Sequence, residues 1–233
     1  MVLKSFIFKS IFYLSILIFG FFGIPSLLNR TATRMVVYYW AKIMIISLEK
    51  IVGIKIFYKN SLIKRNKGYL IAANHQSIFE TIFFLKEFDK VIYVVKKELK
   101  FIPVYGWYAS RMGHIFLDRK KRIISMKILS KSVKKYIKDG YKVIIFPEGT
   151  RQEKNTIGNI KPGIFSLQKD MDNLVHPIFI NSGETWPRSG SLKRKNINIK
   201  VLAPLKRDFS KRIFLDKLKT VLEAENKKYI KYD

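Results

Sequence analysis

Between Ser10 and Asn29 the chain carries no charged residue, and Ile11 to Gly23 is almost continuously apolar, with Lys4 and Lys9 before it and Arg30 and Arg34 after it. Such a run is expected in lipid. A spanning helix needs about 20 apolar residues, and Gly20, Gly23 and Pro25 interrupt the last turns, so a shorter, shallowly inserted helix competes with a span. A cleaved signal peptide shares the basic start and apolar run, but this run is long and no A-x-A-like site follows Leu28. Basic residues on both flanks leave the orientation open.

The next stretch, Met35 to Val52, places Val36, Val37, Trp40, Ile43, Met44, Ile45, Ile46 and Leu48 among few polar residues, which reads as a broad-faced helix. Tyr38, Tyr39 and Trp40 suit the headgroup layer, where one end of a ring is wet. A two-helix membrane-associating segment over residues 1–52 is therefore expected ahead of a catalytic-sized domain over 53–233. Nothing later in the sequence is comparably apolar, which favours an anchored or monotopic protein over a multi-span transporter.

Composition narrows the remaining choices. The 233 residues are 48% hydrophobic, enough for a sizeable core, and 45 Lys and Arg against 17 Asp and Glu leave a net charge of +28. A surface so basic seeks phosphates, anionic lipid or nucleic acid. The absence of cysteine removes disulfides, thiolate zinc sites and a cysteine nucleophile. A histidine-only metal site would need His75, His114 and His176 to converge from distant positions.

After Gly53, short β-rich runs alternate with helical stretches. The expected strands are Ile54 to Tyr58, Tyr69 to Ala73, Val91 to Val95, His114 to Leu117, Lys142 to Phe146, Val175 to Ile180 and Ile197 to Leu202. Helical spacing occurs in Ile78 to Phe88, in Arg122 to Asp139 with Gly140 as its stop, and in about Ser210 to Tyr229. Alternation of this kind predicts an α/β fold, a sheet flanked by helices.

The chemistry-bearing residues cluster where strands end. Asn74-His75-Gln76-Ser77-Ile78-Phe79-Glu80 follows one strand and opens a helix, so His75 lies where α/β sheets bind ligands and is a candidate base. Ser77 and Glu80 also fit a capping box, and Glu80 is placed to orient His75 through Nδ1. Phe146-Pro147-Glu148-Gly149-Thr150-Arg151 follows another strand; Gly149 permits close approach, Thr150 donates, and Arg151 offers a fork suited to phosphate. Lys96 and Arg119 follow two further strands, so four strand ends present His, Lys, Arg and Arg.

In order and spacing these segments resemble the glycerolipid acyltransferases of the 1-acylglycerol-3-phosphate acyltransferase type, over about Leu70 to Gly183. The family signature is a histidine, four residues and an aspartate; His75 matches, and Glu80 stands where the aspartate usually is. Asn74 and its neighbours look like the family, as does the block from Phe146 through Pro147 to Arg151. Gly113, Phe116 and Arg119 match its glycine, phenylalanine and arginine block, and Pro177 matches a fourth. The Lys96 segment, with Ile102-Pro103 and Gly106-Trp107, is also similar.

The resemblance implies a mixed sheet flanked by helices, and attack by a free glycerol hydroxyl on an acyl thioester. It implies His75 as base with Glu80 orienting it, and Lys96, Arg119, Gly149, Thr150 and Arg151 as a grip on the acceptor's phosphate. Glu148 is expected to orient Arg151 or a glycerol oxygen. No cofactor or metal is called for, because the thioester is already activated; acyl-CoA or an acidic acyl-carrier protein is the co-substrate. The partners implied are membrane lipids and a lyso-lipid acceptor, and the catalytic part is expected at a membrane, on its cytoplasmic side. The runner-up is transfer to another lyso-lipid, such as a lyso-phospholipid or lyso-aminolipid. A basic nucleic-acid-binding protein lacks a recognition motif and gives the apolar N-terminal run no role; a non-catalytic membrane module would make Glu80 a sign of lost activity.

Overall fold

The computed structural model describes residues 1–118, 122–170, 174–206 and 210–230. Two helices come first, α1 (Val2–Phe22) and α2 (Arg30–Ser47), joined by a short turn at Ile24–Leu28. Among the described residues seven strands follow: β1 (Ile56–Lys59), β2 (Tyr69–Ala73), β3 (Val91–Lys96), β4 (Ile115–Leu117), β5 (Lys142–Ile145), β6 (Val175–Ile180) and β7 (Ile197–Val201). Among and after them the described residues form the helices α3 (Phe79–Glu87), α4 (Tyr105–Met112), α5 (Arg122–Lys138), α6 (Gly163–Asp170) and α7 (Lys211–Ile230).

All seven strands join one sheet in the order β1-β7-β6-β2-β5-β3-β4. Strands β6, β2, β5, β3 and β4 are mutually parallel, and β7 is antiparallel to β6, which makes the sheet mixed. The central strand β2 is buried throughout, as expected of an apolar run covered on both faces. Its alternate residues feed two cores. Ile71 and Ala73 pack with Phe79, Phe83 and Phe84 of α3 and Met44 and Leu48 near the end of α2, whereas Leu70 and Ala72 pack with Leu129 and Val133 of α5 and Phe214 and Leu218 of α7.

The two N-terminal helices differ in character. Helix α1 begins at Val2 and continues through Gly20, so its 21 residues are long and apolar enough to cross a membrane. A lone glycine costs a helix only about 1 kcal/mol relative to alanine, too little to end one so apolar. Helix α2 is not a second such helix: only α1 qualifies among the described residues. Thr33, Ala41, Met44 and Ile45 of α2 are buried, and Trp40 turns inward, its indole N–H donating to Ser15 Oγ at 2.9 Å. Tyr39 remains exposed.

One face of α1 also belongs to the protein interior. Ser5, Phe8, Phe12 and Ser15 recur at helical spacing and are buried, with both phenylalanine rings edge-on to Trp186 at 5.1 and 5.3 Å. Ser5 Oγ accepts from the Leu192 N–H at 2.9 Å. The opposite face, including Phe6, Leu14, Leu17 and Phe21, is exposed.

Candidate functional site

The parallel strands set their carboxyl ends along one rim, and that rim collects the chemistry. Asn74, just past β2, is buried and bridges to β6: its side-chain oxygen accepts from the Ile180 N–H and its amide donates to the Ile180 carbonyl, both at 2.8 Å. This pair ties the start of the 74–78 turn to the end of β6. His75 comes next, its side chain 16% exposed, and its ring stacks on Phe146 at 4.1 Å. Phe146 in turn stacks on Tyr93 of β3 at 6.2 Å, so the imidazole plane is set by rings from two neighbouring strands.

Glu80, in the first turn of α3, is fully buried. Its carboxylate accepts from the backbone N–H of Gln76 at 3.1 Å and from that of Ser77 at 2.9 Å. The Ser182 hydroxyl donates to the same carboxylate. Such donors offset the cost of taking a carboxylate out of water. His75 Nδ1 faces Glu80 Oε2 at 3.4 Å, short of a formed hydrogen bond, and is otherwise unpartnered among the described residues. The returning half of a capping box is present, although the helix begins one residue later than a Ser77 cap implies. Ile78 is the cap position, and the Phe79 N–H donates to Ser77 Oγ at 3.2 Å.

The segment after β5 wraps this histidine from the other side. Glu148 is buried, and both its oxygens are engaged: the His75 N–H donates at 2.8 Å and the Gly158 N–H at 2.9 Å. Glu148 therefore holds the backbone of His75; neither an Arg151 contact nor a free oxygen for glycerol is the arrangement found. Burial pushes its carboxyl up to about 7 against the opposing pull of the two backbone hydrogen bonds. The Gln152 N–H donates to the His75 carbonyl at 2.7 Å, which places half-buried Arg151 one residue from the base. Gly149 turns the chain at φ 78°, a left-handed conformation that favours glycine. Pro147 is buried beside it, its carbonyl accepting from the Lys161 N–H, and Thr150 is exposed.

Other expected site residues fall in different places. Lys96 ends β3 and is exposed on the rim. Arg119 lies outside the described residues. Gly113 caps α4 at φ 88°, with the Arg30 guanidinium and the Tyr136 hydroxyl packed over it, and Phe116 of the edge strand β4 pairs with Val95. Pro177 lies level with Ala72 within β6, short of the rim. These three, matched as motif support, have their places in the scaffold. His114 is buried edge-on to Tyr93 and His176 lies edge-on to Tyr69; burial lowers the His114 imidazole to about 3, helped by Arg30. Among the described residues no cluster of histidine and carboxylate side chains is placed to hold a metal ion.

Ser182 is the residue that sequence reasoning missed. Its signal was available, since Asn181-Ser182-Gly183 directly follows the strand Val175–Ile180, the same strand-end position that singled out His75. Beside it opens a polar cleft of about 270 Å³, lined by Gln76, Gln152, Lys154, Gly183, Arg188 and Lys193 among others.

Known proteins share this architecture and sequence. The acyltransferase family matches residues 55–181. A 1-acyl-sn-glycerol-3-phosphate acyltransferase of Pseudomonas aeruginosa is 32% identical over 174 residues, covering 75% of this chain and 68% of that protein. An enzyme of the same name from Saccharomyces cerevisiae is 31% identical, over 60% of this chain and 48% of its own length. A lyso-ornithine lipid O-acyltransferase of Rhizobium meliloti is 30% identical over 43% of this chain and 34% of its own. The crystal structure of the 1-acyl-sn-glycerophosphate acyltransferase PlsC from Thermotoga maritima superposes with a TM-score of 0.78 at 21% identity, covering 97% of this chain and 95% of that one.

Proposed function

The chain belongs to the acyltransferase family, among the 1-acyl-sn-glycerol-3-phosphate acyltransferases, and from that premise we propose that it moves a fatty acyl group from acyl-CoA or acyl-carrier protein to the sn-2 hydroxyl of 1-acylglycerol 3-phosphate, giving phosphatidic acid. The observation that carries the reading is the pairing of His75 with a buried carboxylate: Nδ1 faces Glu80 at 3.4 Å on the rim where β2, β5 and β6 end.

In this reading the acceptor hydroxyl approaches His75 Nε2. As its oxygen attacks the thioester carbonyl, the proton passes to Nε2 and the negative charge of Glu80 stabilises the imidazolium. Collapse of the tetrahedral intermediate breaks the C–S bond, and the proton goes on to the leaving thiolate. The stack on Phe146 and the Glu148 bond to the His75 backbone keep the ring in place throughout. Arg151, Lys96 and the 149–150 turn grip the acceptor's phosphate, and Arg119 belongs to that grip by its place in the sequence. No cofactor or metal enters, because the thioester supplies the activation. Membrane attachment through α1 holds the catalytic part at the bilayer, and the donors of this reading, which are cytoplasmic, assign it to the cytoplasmic side.

The test is acyl transfer from a labelled thioester to 1-acylglycerol 3-phosphate by membranes containing the protein, with both donors. Product formed by wild type and abolished by His75→Ala is expected; no product with either donor would overturn the acceptor assignment. The lyso-ornithine relative motivates a second acceptor class. Arg151→Ala separates the two, because loss confined to the phosphate acceptor supports the phosphate grip and equal loss on a phosphate-free acceptor removes it.

A further inference from the structure

Beyond α1 and its turn, exposed apolar side chains gather on the segment that joins β3 to α4 and on the first turn of α4. Phe101 is 74% exposed and Trp107 50%, with Ile102 and Tyr105 also exposed. Single exposed apolar residues are ordinary, but a group including three aromatic rings on one short segment calls for a covering. The segment is firmly built: the Gly106 N–H donates to the Ile102 carbonyl at 2.8 Å, and a Cβ at Gly106 would lie 2.0 Å from the Lys100 carbonyl oxygen.

Its position is set from both sides. Strand β3 enters it from the rim that bears His75, and the Tyr93, Phe146 and His75 rings connect the two. Helix α4 leaves it against the end of α1. The Tyr108 hydroxyl reaches the Phe19 carbonyl at 3.2 Å and the Gly20 carbonyl at 3.3 Å, and the Arg111 guanidinium donates to the Leu28 carbonyl. Val104 lies directly over Gly20, where an added Cβ would meet it at 2.4 Å. Val104 itself adopts φ 63°, rare for a β-branched residue, in this seat on α1. At that same end of α1 Phe22 is 80% exposed and Leu28 85%.

We propose that the 97–107 segment is a second membrane contact, lying in the headgroup layer of an anionic leaflet beside the end of α1, so that the rim bearing His75 faces the lipid. Phe101, Tyr105 and Trp107 have the chemistry of that layer, and Lys96 and Lys100 are exposed beside them. Lys97 pairs with Asp118 at 3.1 Å, and Glu98 is the one acid in the segment, which leaves the local charge positive toward anionic lipid. The contact deepens the acyl-transfer reading by naming the surface that brings the site to a lipid acceptor.

Because the chain has no cysteine, single-cysteine variants of the full protein accept one nitroxide each. In vesicles of equal parts phosphatidylcholine and phosphatidylglycerol, labels at Phe101→Cys and Trp107→Cys are expected to meet lipid-soluble oxygen severalfold more than an aqueous nickel chelate. That is the behaviour expected at Phe22→Cys and the reverse of that at Lys131→Cys, exposed on α5. Labels at 101 and 107 that behave like the one at 131 while 22 is in lipid would overturn the contact, as would occlusion only on adding an acidic protein. This readout needs no turnover, so a wrong acceptor and a wrong surface are told apart.

Discussion

Glu80 shows how a single methylene is accommodated. The longer side chain brings its carboxylate to Gln76 N–H, Ser77 N–H and the Ser182 hydroxyl, and leaves His75 Nδ1 at 3.4 Å. Ser182 is thus a positioning residue. Ser182→Ala is expected to lower kcat about tenfold with KM little changed, by weakening the hold on the carboxylate by about 1.4 kcal/mol; Ser182→Thr, which keeps the hydroxyl, should restore most of it. A fall in KM and kcat that Thr does not rescue would instead mark a packing defect. Glu148 makes a second prediction. Folding raises this acid's pKa from 4.5 to about 7, so the native state holds the proton more tightly than the unfolded chain. The contribution to stability is largest below 4.5 and is lost as pH climbs through about 7, on the order of 3 kcal/mol in all. Thermal unfolding across that window should show wild type declining relative to Glu148→Gln, which cannot titrate; parallel curves would show that Glu148 does not change its protonation there. His75 and Glu80 were legible in the sequence because a strand end followed by a helix start brings together two residues only five apart in the chain. Glu148 was legible as a site residue but its task was not, since its partners, the N–H groups of His75 and Gly158, are set by the return of the 147–158 segment over the rim.

Among the elements, strands were easier to read than helices. The run at β2 matches Tyr69–Ala73 because five apolar residues suit a strand covered on both sides. Short helices such as α4 and α6 were missed: eight residues offer barely two turns of periodicity. In α1 the buried stripe of Ser5, Phe8, Phe12 and Ser15 is concealed by a helix that is apolar all round. Close approach between elements makes its own prediction at Gly68, which enters β2 beneath the end of α5. A Cβ there would stand 1.9 Å from the Ile137 carbonyl oxygen, a backbone atom that cannot move without shifting the helix. Gly68→Ala is expected to destabilise by about 2 kcal/mol or more, read from chemical unfolding; a change within about 0.5 kcal/mol would show that α5 yields at no cost.

Across the whole molecule, α1 is both an exposed apolar helix and a wall of the core, since Phe8 and Phe12 share a cluster with Met44, Leu48, Ile71 and Trp186. Removing residues 1–23 is therefore expected to leave a chain that aggregates and unfolds at lower temperature, because each fully buried phenylalanine contributes about 2 kcal/mol. A soluble truncated chain with the wild-type melting temperature would show α1 to be a detachable anchor. The net charge of +28 acts over the same scale, drawing the protein to anionic surfaces in a way that salt weakens. By itself the sequence determined the α/β alternation, the apolar N-terminus and the motif residues at strand ends, because these are local patterns of periodicity and spacing. Only the tertiary structure decided that α1 is partly internal, that Ser182 and Glu148 hold the His75–Glu80 pair, and that Gly113, Phe116 and Pro177 serve the scaffold. Each of those outcomes depends on contacts between residues far apart in the chain, which packing and register settle and local spacing does not encode.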